Sequence, residues 1–357
     1  MCQQPVDPPD SGDRQFRPHP PTLYPPRVAN PTPLLDPPGM AADLDRIEAG
    51  LRHAVEADDP FLTEVARHLI DAGGKRVRPA LAITASLVTS MEPVSATDDV
   101  ISGGVAVELV HQGSLYHDDV MDGADTRRTV ESVNARWGNL EAILAGDYLL
   151  ARASEIAARL GTEVAGLLAS TIASLCEGQI REMQHAFDVD RSRDAYLTSI
   201  SGKTAALLAT SARVGAIVAG HPRQLVEAVT DFGYHYGMAF QVIDDILDVV
   251  ATDEQLGKPA GNDLVEGVYT LPVILALGGP SGDDLRGMLG GPIDDATRDR
   301  ARMIVRSDAA IDAATRTAMD FTDRARASLD DLPDTPAVST LRSTCDLLLA
   351  RVADLSA

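Results

Sequence analysis

Apolar positions recur along most of the chain at the three- and four-residue spacing of a helix, and almost no segment alternates as a strand does. Gly73 and Gly74 are typical of residues that end a helix, and Pro79 is typical of a first helical turn. The pattern predicts helices at 41–57, 60–72, 79–89, 100–122, 140–160, 164–187, 193–218 and 225–250, one opening at 269–272, and three between 294 and 356. We therefore expect an all-α protein.

The first 39 residues differ in texture from the rest of the chain. They contain 12 of its 22 prolines and little apolar periodicity, which is typical of a disordered or polyproline-like arm. The remaining length is enough for one large helical domain. We therefore expect two parts, a proline-rich arm at 1–39 and a single all-helical domain at 40–357.

Composition and net charge limit which binding partners and which cellular location this protein can have. The net charge of -22 argues against nucleic acid or an anionic membrane as the main partner. Cys2, Cys176 and Cys345 form an odd set at unmotivated spacings, as expected for reduced thiols. The sequence has no long uncharged apolar run and no apolar signal segment at its start. We expect a cytoplasmic protein.

Two acidic clusters are the most informative feature of the sequence. Asp118 and Asp122 lie one turn apart on one face of a predicted helix, and Asp244 and Asp248 repeat this spacing after another apolar run. Such a pair of carboxylates repels by about 4 kcal/mol at 4 Å, if the effective dielectric constant is about 20. Facing inward, the clusters need a cation, and an all-oxygen site with room for phosphate oxygens suits Mg²⁺.

Cationic residues near these clusters favour phosphate binding. Lys75 and Arg78 lie at a predicted helix start, where the helix dipole also attracts anions, although a solvated basic loop would look the same. Arg127 and Arg128 follow the first cluster and could contact phosphates or neutralise the cluster directly.

Four further polar residues stand out from apolar or flexible surroundings. Lys203 and Thr204 interrupt an apolar, small-residue helix, where the lysine could be functional or could extend to solvent. Lys258 lies in a Gly/Pro-containing loop. Asp147 lies in an apolar stretch, and we expect it to be a buried structural carboxylate.

These motifs occur in a definite order along the chain: GGKRVRP, DDVMD followed by two arginines, Lys-Thr, FQVIDDILD and GKPAGND. Together they resemble the all-trans polyprenyl diphosphate synthases, enzymes that elongate isoprenyl chains. The resemblance covers about residues 51–277 and implies a single large helical bundle of the isoprenoid synthase type with a deep central cavity. Thr129 is a departure, because many members of that family have glycine there.

The resemblance also implies a role for each matching residue. The metal ligands or their neighbours would be Asp118, Asp119, Asp122, Asp244, Asp245 and Asp248, which would hold three Mg²⁺ ions per site that Mn²⁺ could replace. Isopentenyl diphosphate would bind Lys75, Arg78, His111 and Arg128. The allylic diphosphate would bind Arg127, Lys203 and Lys258. Thr204 and Gln241 would stabilise the carbocation, so that Lys203, Thr204, Gln241 and Lys258 form the catalytic set.

Product length depends, in the resembled family, on the residues four and five positions before the first aspartate. Here these are Ser114 and Gly113, both too small to stop a growing chain. Together with the absence of a two-residue insertion in DDVMD, this favours a product of C30 or more, such as a quinone side-chain precursor. Tyr116 could instead close the tunnel, and a shorter farnesyl or geranylgeranyl product is the alternative.

Three other classes of protein fit parts of the sequence. Glu108-x-x-His111 and Glu182-x-x-His185 are the motifs of a di-iron four-helix protein, which would leave the aspartate clusters unexplained. A class I terpene cyclase would share only the first cluster. A non-catalytic subunit of a heteromeric synthase would normally lack one of the matched residues. The family resemblance further implies a homodimer and a product that could be handed to membrane enzymes.

Overall fold

The computed structural model describes residues 39–252 and 260–353, and these form a bundle of helices with one very short hairpin. The first part contains α1 (Met40–Ala54), α2 (Pro60–Asp71), α3 (Val77–Ser86), α4 (Asp98–Asp122), β1 (Thr126–Arg127), β2 (Val130–Glu131), α5 (Val133–Trp137), α6 (Asn139–Arg159) and α7 (Thr162–Gln184). The second contains α8 (Arg193–Ile200), a π-helical segment (Ser201–Ala205), α9 (Ala206–Val218), α10 (Arg223–Val250), α11 (Asn262–Glu266), α12 (Leu271–Leu277), α13 (Gly282–Arg286), α14 (Asp295–Ser307), α15 (Ala310–Ala327) and α16 (Pro336–Ala353).

The all-α prediction is confirmed, and most predicted helices end within a few residues of the observed ones. The predicted helix at 193–218 is interrupted by the π-helical segment, which carries Lys203 and Thr204. The sequence did not predict the short elements α5, the hairpin, α11, and α13 within a predicted loop. Each has five or fewer residues, too few to show a period of 3.6.

Helix α4 is the central element of the bundle and packs against α3, α6 and α9. It is apolar on most of its circumference, as expected for a helix surrounded by others. Gly215 of α9 lies against the carbonyl oxygen of Ala82 in α3, so closely that a Cβ atom at this position would overlap it. A small residue is therefore required where these two helices cross.

Both acidic clusters lie near the carboxyl ends of long helices. Asp118 and Asp122 belong to the last turns of α4, which ends at Gly123 in the left-handed conformation (φ 62). Asp244 and Asp248 lie in the last two turns of α10. The carboxyl end of a helix carries partial negative charge, so its dipole opposes these carboxylates rather than stabilising them.

Two of the predictions fall partly or wholly outside the described residues. Residues 1–38 of the predicted proline-rich arm (1–39) lie outside the described residues. Lys258 also lies outside them, within 253–259. Among the described residues, none of the helices has both the length and the apolar composition that crossing a membrane requires.

Candidate active site

A polar cavity of about 770 Å³ lies between the two acidic clusters. Asp122 of α4 and Asp245 of α10 both line it, so the two clusters border one space. Arg127, Lys203 and Gln241 also contribute to its wall. The residues that the sequence analysis singled out from four separate segments thus meet at one cavity.

In the first cluster, the carboxylate of Asp119 is paired with an arginine, whereas that of Asp122 is exposed. Asp119 is fully buried and accepts a 2.7 Å hydrogen bond from Nε of Arg127, whereas its Oδ2 atom has no hydrogen-bond partner in the described structure. Asp122 is exposed. Burial raises the pKa of Asp118 to about 6, although Lys203 acts in the opposite direction. The ionised form of Asp118 is therefore unfavourable unless a cation binds beside it.

The second cluster is held by a hydrogen-bond network. Asp245 is almost fully buried and accepts hydrogen bonds from the Tyr196 hydroxyl (2.5 Å) and from Nε2 of Gln241 (2.8 Å). Burial raises the pKa of Asp245 to about 7, against the effect of both hydrogen bonds. Asp244 is half-exposed and forms a 3.2 Å ion pair with Arg351 of α16.

Lys203 and Thr204 face the cavity from the π-helical segment. The Lys203 ammonium group pairs with Glu182 of α7, and the Thr204 hydroxyl donates a 2.6 Å hydrogen bond to Oε1 of Gln241. Burial lowers the pKa of Lys203, but Glu182 and Asp118 outweigh it and raise the pKa overall. The lysine is thus a cation throughout the physiological range, and it does not extend to bulk solvent.

A cationic cluster lies at the start of α3. Arg78, His111 and Arg128 approach one another there, and burial together with Arg78 and Arg128 lowers the pKa of His111 well below its usual value. Burial also lowers the pKa of Arg128 to about 10. Nε of Arg78 is buried without a hydrogen-bond partner within 39–252 and 260–353. Lys75 is exposed beside this cluster.

A second cavity, about 430 Å³ and mainly apolar, adjoins the polar one at Lys203, which lines both. Asp118 lies at this cavity, and so does Ser114, one helical turn earlier on α4. Gly113 instead faces α6, where an added Cβ atom would lie 3.0 Å from the carbonyl oxygen of Gly146. The structure therefore distinguishes the two predicted floor residues, and only Ser114 lines the cavity.

The Tyr116 alternative is not supported, because the side chain points away from the cavity. Tyr116 is fully buried, and its hydroxyl donates a 2.8 Å hydrogen bond to the carbonyl oxygen of Val65 in α2. The expectation for Asp147 was wrong. Its side chain is 64% exposed, 3.4 Å from Nε2 of His117, because it projects from α6 at the rim of the apolar cavity.

The di-iron alternative is contradicted by the partners of its glutamates. Glu108 pairs with Arg76, and Glu182 pairs with Lys203, in separate parts of the bundle. Across the described ranges, no three His, Cys, Asp or Glu side chains converge as a preformed metal cage. Mg²⁺ does not need one, since it commonly binds one or two carboxylates together with waters and substrate phosphates. The buried Oδ2 atom of Asp119 and the costly charges of the clusters fit such an ion.

The cavity residues that were not assigned to this site from the sequence include Gln179, Glu182, Arg191 and Tyr196. Glu182 had been considered only as part of a Glu-x-x-His motif. Its spacing from Gln179, one helical turn, would have indicated a shared polar face on α7. The pairing of Tyr196 with Asp245 joins residues 49 positions apart and has no local signal.

Comparisons with known proteins agree with this geometry. The polyprenyl synthetase family model matches residues 59–304. A nonaprenyl diphosphate synthase from Mycobacterium tuberculosis is 37% identical over 87% of this chain and 93% of its own length. A geranylgeranyl diphosphate synthase from Methanosarcina mazei is 35% identical over 81% and 90%, respectively. The crystal structure of a Caulobacter crescentus polyprenyl synthase, complexed with calcium and isoprenyl diphosphate, superposes with a TM-score of 0.83 at 32% identity, covering 91% of this chain and 99% of that one. This chain therefore belongs to the polyprenyl synthetase family, and its reaction class is that of a prenyl diphosphate synthase.

Proposed function

We propose that this protein condenses isopentenyl diphosphate with an allylic diphosphate to give an all-trans polyprenyl diphosphate of C30 or more. The observation that carries this proposal is the adjacency of the two cavities. A polar cavity bordered by both acidic clusters shares Lys203 as a wall residue with an apolar one. Such a pair suits a substrate with a charged diphosphate head and a hydrocarbon tail.

In this proposal the aspartate clusters hold Mg²⁺ ions, which supply positive charge to the leaving diphosphate when they are bound. The ligands would come from Asp118, Asp122 and Asp244, with Asp119, Asp245 and Asp248 as ligands or supports. A set of three ions, with Mn²⁺ as a substitute, is the expectation from the family. The calcium in the Caulobacter crescentus structure is consistent with divalent ions beside isoprenyl diphosphate.

The cationic cluster would bind isopentenyl diphosphate. Arg78, His111 and Arg128 form its inner wall, and Lys75 would contribute from the exposed side. Burial and the positive field of the neighbouring arginines lower the pKa of His111, and a diphosphate would neutralise that field. Because His111 is kept neutral, it would donate a hydrogen bond rather than add charge.

The allylic diphosphate would bind between Arg127 and Lys203, with Lys258 as a further cation from the loop that lies outside the described residues. Lys203 already faces Asp118 across the cavity. As the bond to the diphosphate breaks, Lys203 stabilises the charge on the departing oxygens. Thr204 and Gln241 present oxygen atoms to the developing carbocation, and the buried setting excludes water that would quench it.

The long product is supported by the apolar cavity. Ser114 leaves space directly below Asp118, and much of the remaining wall consists of large apolar side chains such as Leu150, Ile172 and Leu175. The similarity to both a nonaprenyl and a geranylgeranyl diphosphate synthase means that relatives of different product length resemble this chain almost equally. Product length is therefore the first property to measure.

A homodimer is also part of the proposal. Leu140 and Leu144, one turn apart on α6, are each more than half exposed and together form an apolar face. A two-fold interface would cover this face on both copies. Sedimentation analysis of the full chain should give the mass of two copies, and a Leu144→Glu variant should give one. A single-copy mass for the unaltered chain would contradict the dimer.

The decisive experiment incubates the purified full chain with isopentenyl diphosphate, Mg²⁺ and each of the C5, C10, C15 and C20 allylic primers. We expect products of C30 or longer with at least one primer. Products that stop at C15 or C20 would support the shorter-chain alternative. No condensation with any primer would contradict the proposal and would support a non-catalytic subunit. The division into an arm at 1–39 and a domain at 40–357, and the cytoplasmic location, stay predictions.

A further inference from the structure

A buried polar network runs beneath the cationic cluster, from α1 through α4 to the hairpin. Glu108 is 2% exposed and accepts hydrogen bonds from Arg76 (2.9 Å) and from Nε2 of Gln112 (2.6 Å). Arg76 is held on its other side by Glu48. Oε1 of Gln112 in turn accepts a 3.3 Å hydrogen bond from Nη1 of Arg128. The network thus connects two acidic residues of the interior to an arginine of the cluster.

The hydrogen bond to Glu108 fixes the orientation of the Gln112 side-chain amide. An ionised carboxylate can only accept hydrogen bonds, so the NH₂ end of Gln112 must face Glu108. The oxygen of the same amide is then left to face Arg128. Gln112 is fully buried, so no water competes for either end of its side chain.

Every hydrogen bond that Arg128 forms within the described residues uses a single atom, Nη1. Its two N–H groups are shared among three acceptors, the carbonyl oxygens of Leu69 and Gly73 and the side chain of Gln112. The Nε and Nη2 edge of the guanidinium has no partner there, although this edge has the fork geometry that binds two phosphate oxygens at once. The buried acceptors therefore hold one end of Arg128 and leave its binding edge available.

Backbone conformation supports the same conclusion. Arg76 (φ 48) and Arg128 (φ 53) are two of only four non-glycine residues with positive φ in the described part of the chain. Such conformations persist only where the surrounding structure enforces them, and they concentrate at functional sites. The network of Glu108 and Gln112 reaches the side chains of both arginines.

We propose that Gln112, oriented by Glu108, is a positioning residue that presents the free edge of Arg128 to the diphosphate of isopentenyl diphosphate. This inference rests on the proposed function and adds a specific support for one substrate. Gln112 would not touch the substrate. It would act through Arg128 alone, so the allylic substrate and the bond-making step should be indifferent to it.

The test is a steady-state comparison of the full chain with a Gln112→Met variant, which keeps the length of the side chain and removes the acceptor. We expect the KM for isopentenyl diphosphate to rise by at least about 10-fold, as for the loss of one hydrogen bond to a charged group. The KM for the allylic primer and kcat should stay within about twofold, since binding that is equal in ground and transition states affects only KM. Unchanged KM values, or equal changes for both substrates, would overturn the proposal.

A matched control and a double variant separate positioning from general damage. Thr210→Val removes a buried hydrogen bond to Thr171, far from the cluster, and should lower thermal stability without separating the two KM values. In an Arg128→Lys background, Gln112→Met should have almost no additional effect, because residues that act through one another are non-additive. Full additivity would show that Gln112 does not act through Arg128.

Two safeguards keep the result interpretable. If Gln112→Met does not fold, Gln112→Asn is measured in its place, because it keeps a buried amide but is one methylene too short to reach Arg128. The unaltered chain must first condense isopentenyl diphosphate. Its failure would reject the proposed function, whereas normal turnover without a separation of the KM values in the variant would reject only the role of Gln112.

Discussion

The Thr129 hydroxyl donates a 2.6 Å hydrogen bond to the carbonyl oxygen of Arg128, and both residues have positive φ (65 and 53). They form the two-residue turn between β1 and β2, whose strands pair Arg127 with Val130. Positive φ at both central positions is the geometry of a type I′ hairpin turn, which favours Asn-Gly. A β-branched threonine at the second position is therefore strained.

Replacement of this threonine should stabilise the protein. In Thr129→Gly the left-handed backbone no longer costs about 1–2 kcal/mol, and part of this gain is offset by the greater freedom of glycine in the unfolded chain. We expect the free energy of unfolding to rise by about 0.5–1 kcal/mol, which thermal denaturation would detect as an increase of about 1–3 °C. Thr129→Ala is the control, because it removes the hydroxyl but keeps the strain, and it should not stabilise. Equal effects of both variants would contradict the strain argument.

Asp118 and Asp244, one from each acidic cluster, should be needed for turnover but not for folding. Asp118→Asn or Asp244→Asn should lower kcat by at least about 10²-fold, because each removes a charge that the proposed metal site requires. The fold should persist, since burial makes the Asp118 carboxylate unfavourable, as its raised pKa shows. Steady-state kinetics and thermal denaturation measure the two properties separately.

The matching control for these variants is Asp320→Asn, on the exposed surface of α15. It should leave both kcat and the unfolding temperature unchanged. Near-normal turnover in Asp118→Asn and in Asp244→Asn would contradict the assignment of the two clusters as a metal site.

The small size of Ser114 should be what allows the product to extend. A phenylalanine at this position would fill the apolar cavity one turn below Asp118. We expect Ser114→Phe to shorten the main product by at least one isoprene unit, because a helical turn of about 5.4 Å is comparable to the length of one unit. Ser114→Ala should leave product length unchanged, and chromatography of the dephosphorylated products measures both.

The same substitution at Gly113 should behave differently. Its side chain would be directed at α6, where a Cβ atom alone would come within 3.1 Å of Cγ of Leu150. Gly113→Phe is therefore expected to destabilise the packing of α4 on α6. Shortened products from a fully stable Gly113→Phe variant, with no change in Ser114→Phe, would reverse the assignment of the cavity floor.

Lys203 should contribute mainly to the chemical step. Lys203→Met removes the cation that faces Asp118 and Glu182, and we expect kcat to fall by about 10²-fold. Arg181→Met is a suitable control, since Arg181 pairs with Glu177 on the surface of the neighbouring α7 and should not affect kcat. An unchanged kcat in Lys203→Met would remove the lysine from the proposed mechanism.

The sequence by itself determined the properties that depend on neighbours along the chain. Periodicity predicted the long helices, and the four-residue spacing placed Asp118 and Asp122 on one face of α4. The sequence also showed that the cationic residues at the start of α3 belong to a different segment from the acidic clusters. These properties follow from the 3.6-residue repeat and from local backbone preferences, which do not require knowledge of the packed structure.

Only the tertiary structure decided which of these residues meet and what each one faces. It paired Asp119 with Arg127, enclosed Asp245 with Tyr196, and directed Gly113 towards α6 rather than into the cavity. Residues with the same local sequence pattern thus received different surroundings. The physical reason is that contacts between helices depend on how whole helices cross, and this is set by many packed side chains together rather than by the spacing within any one helix.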